Sequence, residues 1–290
     1  MVADMKNLHY LTESAITQFI GSALLEDIGE GDHSSLAAID ELRTGSAQLL
    51  IKSPGLLAGV ELARRIFSMV DNELQIEIFK EDGQQVQPGD VGLIVRGRAQ
   101  SILGAERLVL NCMQRMSGIA TYTSYLNSLI AGTKAKLLDT RKTTPNFRLP
   151  EKWAVAIGGG VNHRFGLYDM IMLKDNHIDY AGGIAAAINN TLIYLKEKQL
   201  DLKIEIETRS LQEVRQVLEV GRIHRILLDN MDTDQLKKAV DLINGRFQTE
   251  ASGGITEETI AGIAATGVDY ISVGALTHSV TSMDISLKAV

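Results

Sequence analysis

The stretch KIEIETRSLQEVRQVLEVGRIHRILLDN, Lys203 to Asn230, decides the fold. Its two ends, "KIEIET" and "HRILLDN", are short apolar runs that read as strands. Between them Ser210 and Glu213 form the capping box of a helix, and Gly221 ends it. Strand, helix and strand in this order make a right-handed crossover between parallel strands.

The pattern continues outward on both sides. "KAKLLDT" and "DMIMLK" precede it, and "FQTEAS" and "YISVGA" follow. "TDQLKKAVDLING" carries Leu236, Ala239, Val240 and Ile243 on one helical face and is closed by a glycine. Glu207, Asp229, Ser252 and Gly274 each stand at or near a strand's C-terminal end, 22, 23 and 22 residues apart. Such a βα period predicts a barrel or an open relative of one. Six strands are too few for a closed eight-stranded barrel, so an incomplete, open α/β barrel is expected over residues 114–275.

The preceding part has a different texture. A helix over Thr12–Leu25 is followed by Leu74, Ile76 and Ile78 in alternation, by the turn signals "EDG" and "QPGD", and by the strand "VGLIVRG". These predict a small α+β domain built on an antiparallel sheet over residues 1–113, with the C-terminal segment 276–290 packing on it. From Leu103 to Ile130 the pattern is helical, and Gly118 with the Thr/Ser cluster after it is expected to break or join two helices.

Of 290 residues, 45% are hydrophobic and 22% charged, enough apolar material for a sizeable core. The formal charge of -7 argues against nucleic acid or an anionic membrane surface as partner. Cys112 is the only cysteine, so no intrachain disulfide can form and a reducing cytoplasm fits. Leu108 and Met116 lie at helical spacing from it, which predicts a buried structural thiol. "MVADMKNLHYL" lacks the apolar region of a signal peptide, and no apolar run approaches the ~18 residues of a membrane span.

Against that acidic background, "LLDTRKTTPNFRLP" (Leu137–Pro150) gathers Arg141, Lys142 and Arg148, with His163, Arg164 and Lys174 soon after. In α/β folds the strands' C-terminal ends converge on the active site. A small anionic ligand at that rim accounts for the cations; polar surface loops are the plainer account of any single position. Ser252-Gly253-Gly254 and Gly274 open the last two strand-to-helix turns, where backbone N–H groups can hold a phosphate. Glu207 and Asp229 suit Mg²⁺ or sugar hydroxyls, or else serve as counter-ions for Lys142 and Lys174. His163 reads as a general base or as an imidazole with satisfied hydrogen bonds. "AIGGGVNHRFG" is either a flexible loop or a loop packed on a ligand that aims Asn162, His163 and Arg164 inward. It does not fit a dinucleotide fingerprint.

Taken together, "ERLVLNCMQRMSGIATYT", "KAKLLDTRKTTPNFR", "EKWAVAIGGGVNHRFGLYDMIMLKDNHI", "IEIET", "ILLDN", "EASGGIT" and "ISVGALTHS" resemble the quinolinate phosphoribosyltransferase family. The resemblance implies a homodimer of two-domain subunits, an α/β sandwich followed by an open six-stranded barrel. It implies transfer from phosphoribosyl pyrophosphate (PRPP) to quinolinate with Mg²⁺, giving nicotinate mononucleotide, pyrophosphate and CO₂ in NAD biosynthesis. Carried over by position, Arg107, Arg141, His163, Arg164 and Lys174 would surround the quinolinate carboxylates, with Arg107 reaching the neighbouring subunit's site. Lys142 would contact both substrates or the pyrophosphate. Glu207 and Asp229 would bind ribose hydroxyls and Mg²⁺, while Ser252, Gly253, Gly274 and His278 would hold the 5′-phosphate. Asn146 stands where the family commonly has glycine, and asparagine is the side chain that best tolerates a left-handed turn.

Two other classes are compatible with single features. A barrel aldolase or isomerase would use Lys142 or Lys174 as an imine-forming base, which calls for an apolar pocket. A non-catalytic binder of phosphate esters would not need the whole set of acids and cations.

Overall fold

A computed structural model describes residues 8–290; residues 1–7, which carry part of the N-terminal reading, lie outside the described residues. From the N-terminal side the elements are α1 (Glu13–Ile28), α2 (His33–Ala38), β1 (Thr44–Ile51), β2 (Gly55–Leu56) and α3 (Val60–Val70). Then come β3 (Gln75–Ile78), β4 (Gln85–Val86), β5 (Val91–Arg98), α4 (Ala99–Leu129), β6 (Lys136–Leu138) and α5 (Arg148–Ile157). Next are β7 (Ile171–Leu173), α6 (Asp175–Ala181), α7 (Ile184–Lys198), β8 (Ile204–Thr208), α8 (Leu211–Val220), β9 (Arg225–Asp229) and α9 (Thr233–Ile243). The chain finishes with β10 (Gln248–Ser252), α10 (Glu257–Ala265), β11 (Tyr270–Ser272), α11 (Ala275–His278) and β12 (Ile285–Ala289).

The chain divides into two compact units. One takes the described residues up to Ser124 together with Lys142–Gly159 and Ala275–Val290; the other takes Tyr125–Arg141 and Gly160–Gly274. The boundary read from sequence, after residue 113, falls inside α4.

The first unit is built on an antiparallel sheet in the order β12-β1-β5-β3. Alternation along β1 buries Ala47, Leu49 and Ile51, and the amphipathic α3 buries Leu62, Ala63, Ile66 and Phe67. Helix α3 begins after Gly59 in a left-handed conformation, and the buried Asp82 carboxylate accepts the N–H groups of Val60 (2.9 Å) and Glu61 (3.2 Å) in place of a local cap. The last strand, β12, pairs with β1, Leu49 opposite Leu287.

The expected helix break at Gly118 does not occur: α4 runs unbroken for 31 residues. Glycine is there for space. A Cβ on Gly118 would collide with the Thr281 carbonyl and come within 3.2 Å of Ser282 Cα, so its absence lets the C-terminal segment cross the helix. On α4 Cys112 is fully buried, and burial pushes its thiol up to about 12, as a structural cysteine requires.

The second unit is a six-stranded parallel sheet in the order β6-β11-β10-β9-β8-β7, open between its two edge strands. Ser210 caps α8 by accepting Glu213 N–H (3.2 Å), and Asp232 with Gln235 makes the capping box of α9. Helix α9 ends one residue before the expected glycine, at Asn244, which takes the left-handed conformation itself. Ile204, Ile206, Ile226, Leu228 and Ala251 are buried on one face of the sheet, in step with Val214, Val217, Leu236 and Ala239 of the helices. The residues that alternate with them line the other face, where Glu205, Glu207, Arg225, Asp229 and Glu250 stand with the apolar Leu227. Among the described residues no helix is long and apolar enough to cross a membrane.

Candidate active site

The site in the second unit starts at the end of β6. Asp139 is fully buried; its Oδ1 accepts the His163 N–H at 2.8 Å and its Oδ2 the Asn162 side-chain amide at 2.7 Å. Val161 extends the sheet beside β6, donating to Leu137 O (2.8 Å) and accepting from Asp139 N–H (3.2 Å). Beyond it, Asp169 accepts the N–H groups of Phe165 (2.6 Å) and Gly166 (2.9 Å), and Arg164 donates from Nη1 to Met170 O at 3.1 Å. The glycine-rich segment is therefore an anchored loop rather than a flexible one. One reason for its first glycine is packing: a Cβ on Gly158 would meet the Ala120 carbonyl at 2.6 Å.

Charges of both signs act on one another at the rim. Burial, and then the positive charge of Arg141, hold the Arg164 guanidinium below its ordinary value. Burial, and then the negative charge of Asp229, raise Glu207, with Lys174 pulling the other way. Asn230 donates its side-chain N–H to Asp229 Oδ2 (2.7 Å) and its backbone N–H to Ser252 O (2.8 Å), while adopting a left-handed φ of 53°. Gly253 follows with φ 93°, and a Cβ there would collide with the Asn230 amide, so this turn requires glycine. Asp229 and Ser252 are register partners on β9 and β10. Lys174, exposed, is the residue before α6. A pair of mutually repelling cations would be relieved by an anion, and a pair of repelling acids by a divalent cation or by hydroxyl donors. The donor set of Glu207 and Asp229, two carboxylates that repel one another, fits Mg²⁺.

Below this rim lie residues that sequence reasoning missed. Glu205 and Glu250 are fully buried on the polar face, two positions before Glu207 and Ser252. Arg225 Nη1 stands 2.7 Å from Glu250 Oε2 and 3.9 Å from Glu205 Oε2, with its guanidinium 4.2 Å above the Tyr270 ring. His163 Nε2 lies 2.9 Å from Glu205 Oε2 and 3.6 Å from Glu250 Oε2. His163, Glu205 and Glu250 are close enough to hold a metal ion, but the Arg225 guanidinium already supplies the cationic charge there. The available signal was the alternation itself: Glu205, Arg225 and Glu250 share a strand face with the rim residues.

Arg107, Lys142 and His278 belong to the first unit. Arg107 is exposed on α4, and His278 ends α11 with Nδ1 2.6 Å from Ser279 Oγ. Lys142 is exposed, and its carbonyl accepts the Thr277 hydroxyl at 2.9 Å. The buried Glu151 of α5 accepts Thr144 N–H and Oγ1–H (both 3.0 Å) and two bonds from Arg115 (3.0 and 3.1 Å). Arg115 donates further to the carbonyls of Val280 (2.9 Å) and Thr277. This hub holds the turn after Lys142, where Asn146 takes the left-handed conformation (φ 60°).

Residues 32–117 match the family described as quinolinate phosphoribosyl transferase, N-terminal domain, and residues 119–288 match its C-terminal domain. The chain is 50% identical over 281 residues to nicotinate-nucleotide pyrophosphorylase (carboxylating), chloroplastic, of Arabidopsis thaliana, covering 92% of this chain and 80% of that protein. A probable nicotinate-nucleotide pyrophosphorylase (carboxylating) of Bacillus subtilis is 40% identical over 272 residues, 94% of this chain and 92% of that one. The crystal structure of NadC from Streptococcus pyogenes superposes with a TM-score of 0.89 at 39% identity, over 96% of this chain and 97% of that chain. The nicotinate-nucleotide pyrophosphorylase of Francisella tularensis gives 0.88 at 37% identity, over 97% and 98%. With both halves matched and an open six-stranded sheet carrying the quoted motifs at its rim, the chain belongs to the quinolinate phosphoribosyltransferase family.

Proposed function

We propose that this chain is a quinolinate phosphoribosyltransferase: it joins quinolinate to PRPP and releases pyrophosphate and CO₂, leaving nicotinate mononucleotide for NAD biosynthesis. The observation that carries the reading is the gathering of Arg141, Lys174, Glu207, Asp229 and Ser252 at the C-terminal ends of the strands of one parallel sheet. Quinolinate is a dianion and PRPP adds several more charges. Two like charges ~4 Å apart repel by about 4 kcal/mol even at an effective dielectric near 20, so a neutral cup could not hold both substrates.

Arg141 and Arg164 receive the adjacent carboxylates through their planar forks, with Lys174 as a third cation and His163 beside them. Arg107 of one subunit completes the other's site in a homodimer. Ser252, Gly253, Gly274 and His278 take the 5′-phosphate, and Glu207 with Asp229 orients the ribose hydroxyls. The pyridine nitrogen's lone pair forms the bond to ribose C1 as the C1–O bond to pyrophosphate breaks, and the departing pair leaves with pyrophosphate. Lys142 neutralises that leaving group. Mg²⁺, when held by Glu207 and Asp229, supplies further charge neutralisation at the pyrophosphate. The quaternary nitrogen then accepts electron density as the ring carbon loses CO₂, and Lys174 returns a proton to that carbon through water. Orientation and electrostatics carry most of the acceleration. A cytoplasmic setting goes with the single reduced thiol.

An imine-forming role for Lys142 or Lys174 is disfavoured because both are exposed, whereas such a lysine needs desolvation. The decisive experiment mixes the protein with PRPP, Mg²⁺ and quinolinate labelled in its 2-carboxyl carbon. Labelled CO₂ must appear only when all components are present. Release without PRPP, or none with the full mixture, would overturn the assignment.

A further inference from the structure

The charged floor of the barrel takes no direct part in the chemistry above, yet it ends on a residue of the site. The imidazole of His163 accepts a hydrogen bond at one nitrogen and turns the other toward buried carboxylates. Nδ1 accepts the Arg164 backbone N–H at 2.7 Å, so its lone pair is occupied and the ring proton sits on Nε2. Nε2 faces inward, 2.9 Å from Glu205 Oε2 and 3.6 Å from Glu250 Oε2. Asp139 grips the same residue by its backbone N–H.

We propose that Glu205 and Glu250 are positioning residues for the reaction: they lock the His163 ring from beneath, and the ring in turn fixes the backbone from which Arg164 reaches the substrate's carboxylates. On this assignment His163 is a bracket and neither gives nor takes the proton that follows decarboxylation. The inference rests on reading the rim as the quinolinate site.

A purely structural account of the floor is weak on energetic grounds. Barrel interiors are normally layered with branched apolar side chains. Replacing a buried ionic cluster by well-packed apolar residues is often neutral or stabilising. Here two fully buried glutamates face one arginine, and Oε1 of each lacks a hydrogen-bond partner. Such a cluster is costly to keep, and it meets the rim in close contact at His163, with Arg164 and Lys174 within electrostatic reach of Glu205.

Two measurements test this. In the parent protein, long-range ¹⁵N–¹H spectra of the imidazoles, with His163 identified by its loss in His163→Gln, should show the Nε2–H tautomer at neutral pH. An Nδ1–H tautomer would overturn the bracket. In kinetics, Glu205→Gln should lower kcat/KM for quinolinate by about 10–100-fold, the scale of a small misplacement of a binding group, with KM for PRPP held within about twofold. Glu250→Gln should act in the same direction. The double variant Glu205→Gln/His163→Gln should be no worse than His163→Gln alone, because the glutamate acts through the imidazole. Additive losses, or an equal rise in both KM values, would refute the proposal. If a glutamine variant fails to fold, the tautomer of the parent decides alone. Should the parent not turn over quinolinate at all, the functional reading fails, and the tautomer still reports whether the bracket exists.

Discussion

Replacing Glu151 by glutamine isolates the hub that holds the turn after Lys142. The change keeps side-chain volume, so no cavity is created and the loss is electrostatic. Glu151 has no exposed surface, and the side chain of its partner Arg115 is 23% exposed. The carboxylate accepts four bonds, two from Thr144 and two from the guanidinium. An amide keeps one acceptor; placed where Oε1 stands it still takes three of the four bonds, but the Thr144 N–H bond to Oε2 is lost and the two guanidinium bonds lose their charge assistance. Charge-assisted bonds contribute about 1.5–3 kcal/mol each, and breaking a buried ion pair costs about 3–5 kcal/mol. Arg115 retains the Val280 and Thr277 carbonyls and some water, which places the expected loss near the lower end, about 3 kcal/mol. Denaturant titration reads it as a lower midpoint at unchanged m. Because Thr144 lies two residues after Lys142, kcat/KM for PRPP should also fall, by about tenfold or more, and by more than for quinolinate. A stability change below about 1 kcal/mol with unaltered kinetics would show that the hub does not hold the turn.

The other expectations concern the rim and the floor. Arg141→Ala or Arg164→Ala should lower turnover of quinolinate by roughly 10²–10³-fold, the scale for one preorganised charge contact, and near-parental rates at saturating substrate would remove them from the site. Gly253→Ala should cost about 1–3 kcal/mol, since its φ of 93° is unfavourable for alanine and the methyl meets Asn230; KM for PRPP should rise with it, and a variant as stable as the parent would refute the turn geometry. Burial, and then the charge of Glu205, push Glu250 up to about 7 from an ordinary 4.5, against the pull of His163 and Arg225. A raised carboxylate favours the folded state most below its unfolded value, and that contribution is lost as pH rises through the folded value. Unfolding free energy should therefore decline between about pH 4.5 and 7 and flatten above, with a shallower decline in Glu250→Gln; equal slopes in the two proteins would refute it.

Much of the second unit was legible because its rules are local. Capping at Ser210, the end at Gly221 and the βα period each follow from a few neighbouring residues, and the strands and helices formed where these pointed. The places of Glu207, Asp229 and Ser252 at or near strand ends were legible for the same reason, since strand ends can be counted. Gly118 was misread because a glycine within a helical pattern has two meanings, break or close approach, and the deciding neighbour, Thr281, is remote in sequence. Glu205, Arg225 and Glu250 were passed over because a charge inside a short strand ordinarily points to solvent. Only the register of three strands reveals that they meet. Glu151 and Arg115 were hidden in the same way, as single charges in helices whose other residues are largely buried.

The backbone also keeps Arg164 and Glu207 apart. Cations and acids both stand at strand ends of one sheet, and pairing Arg164 with Glu207 would remove two repulsions at once. The backbone prevents it. Arg164 is tied through Met170 and through the Asp139 grip on its neighbour, while Glu207 is fixed by the alternation of β8, whose other face carries Ile204 and Ile206 into the apolar layer. A slip of one residue in β8 would bring Glu207 within reach of other partners but would bury Glu205 and Glu207 in that layer, at a penalty far above any ion pair's gain. The apolar face of the sheet thus fixes the direction in which the charged residues of its polar face point.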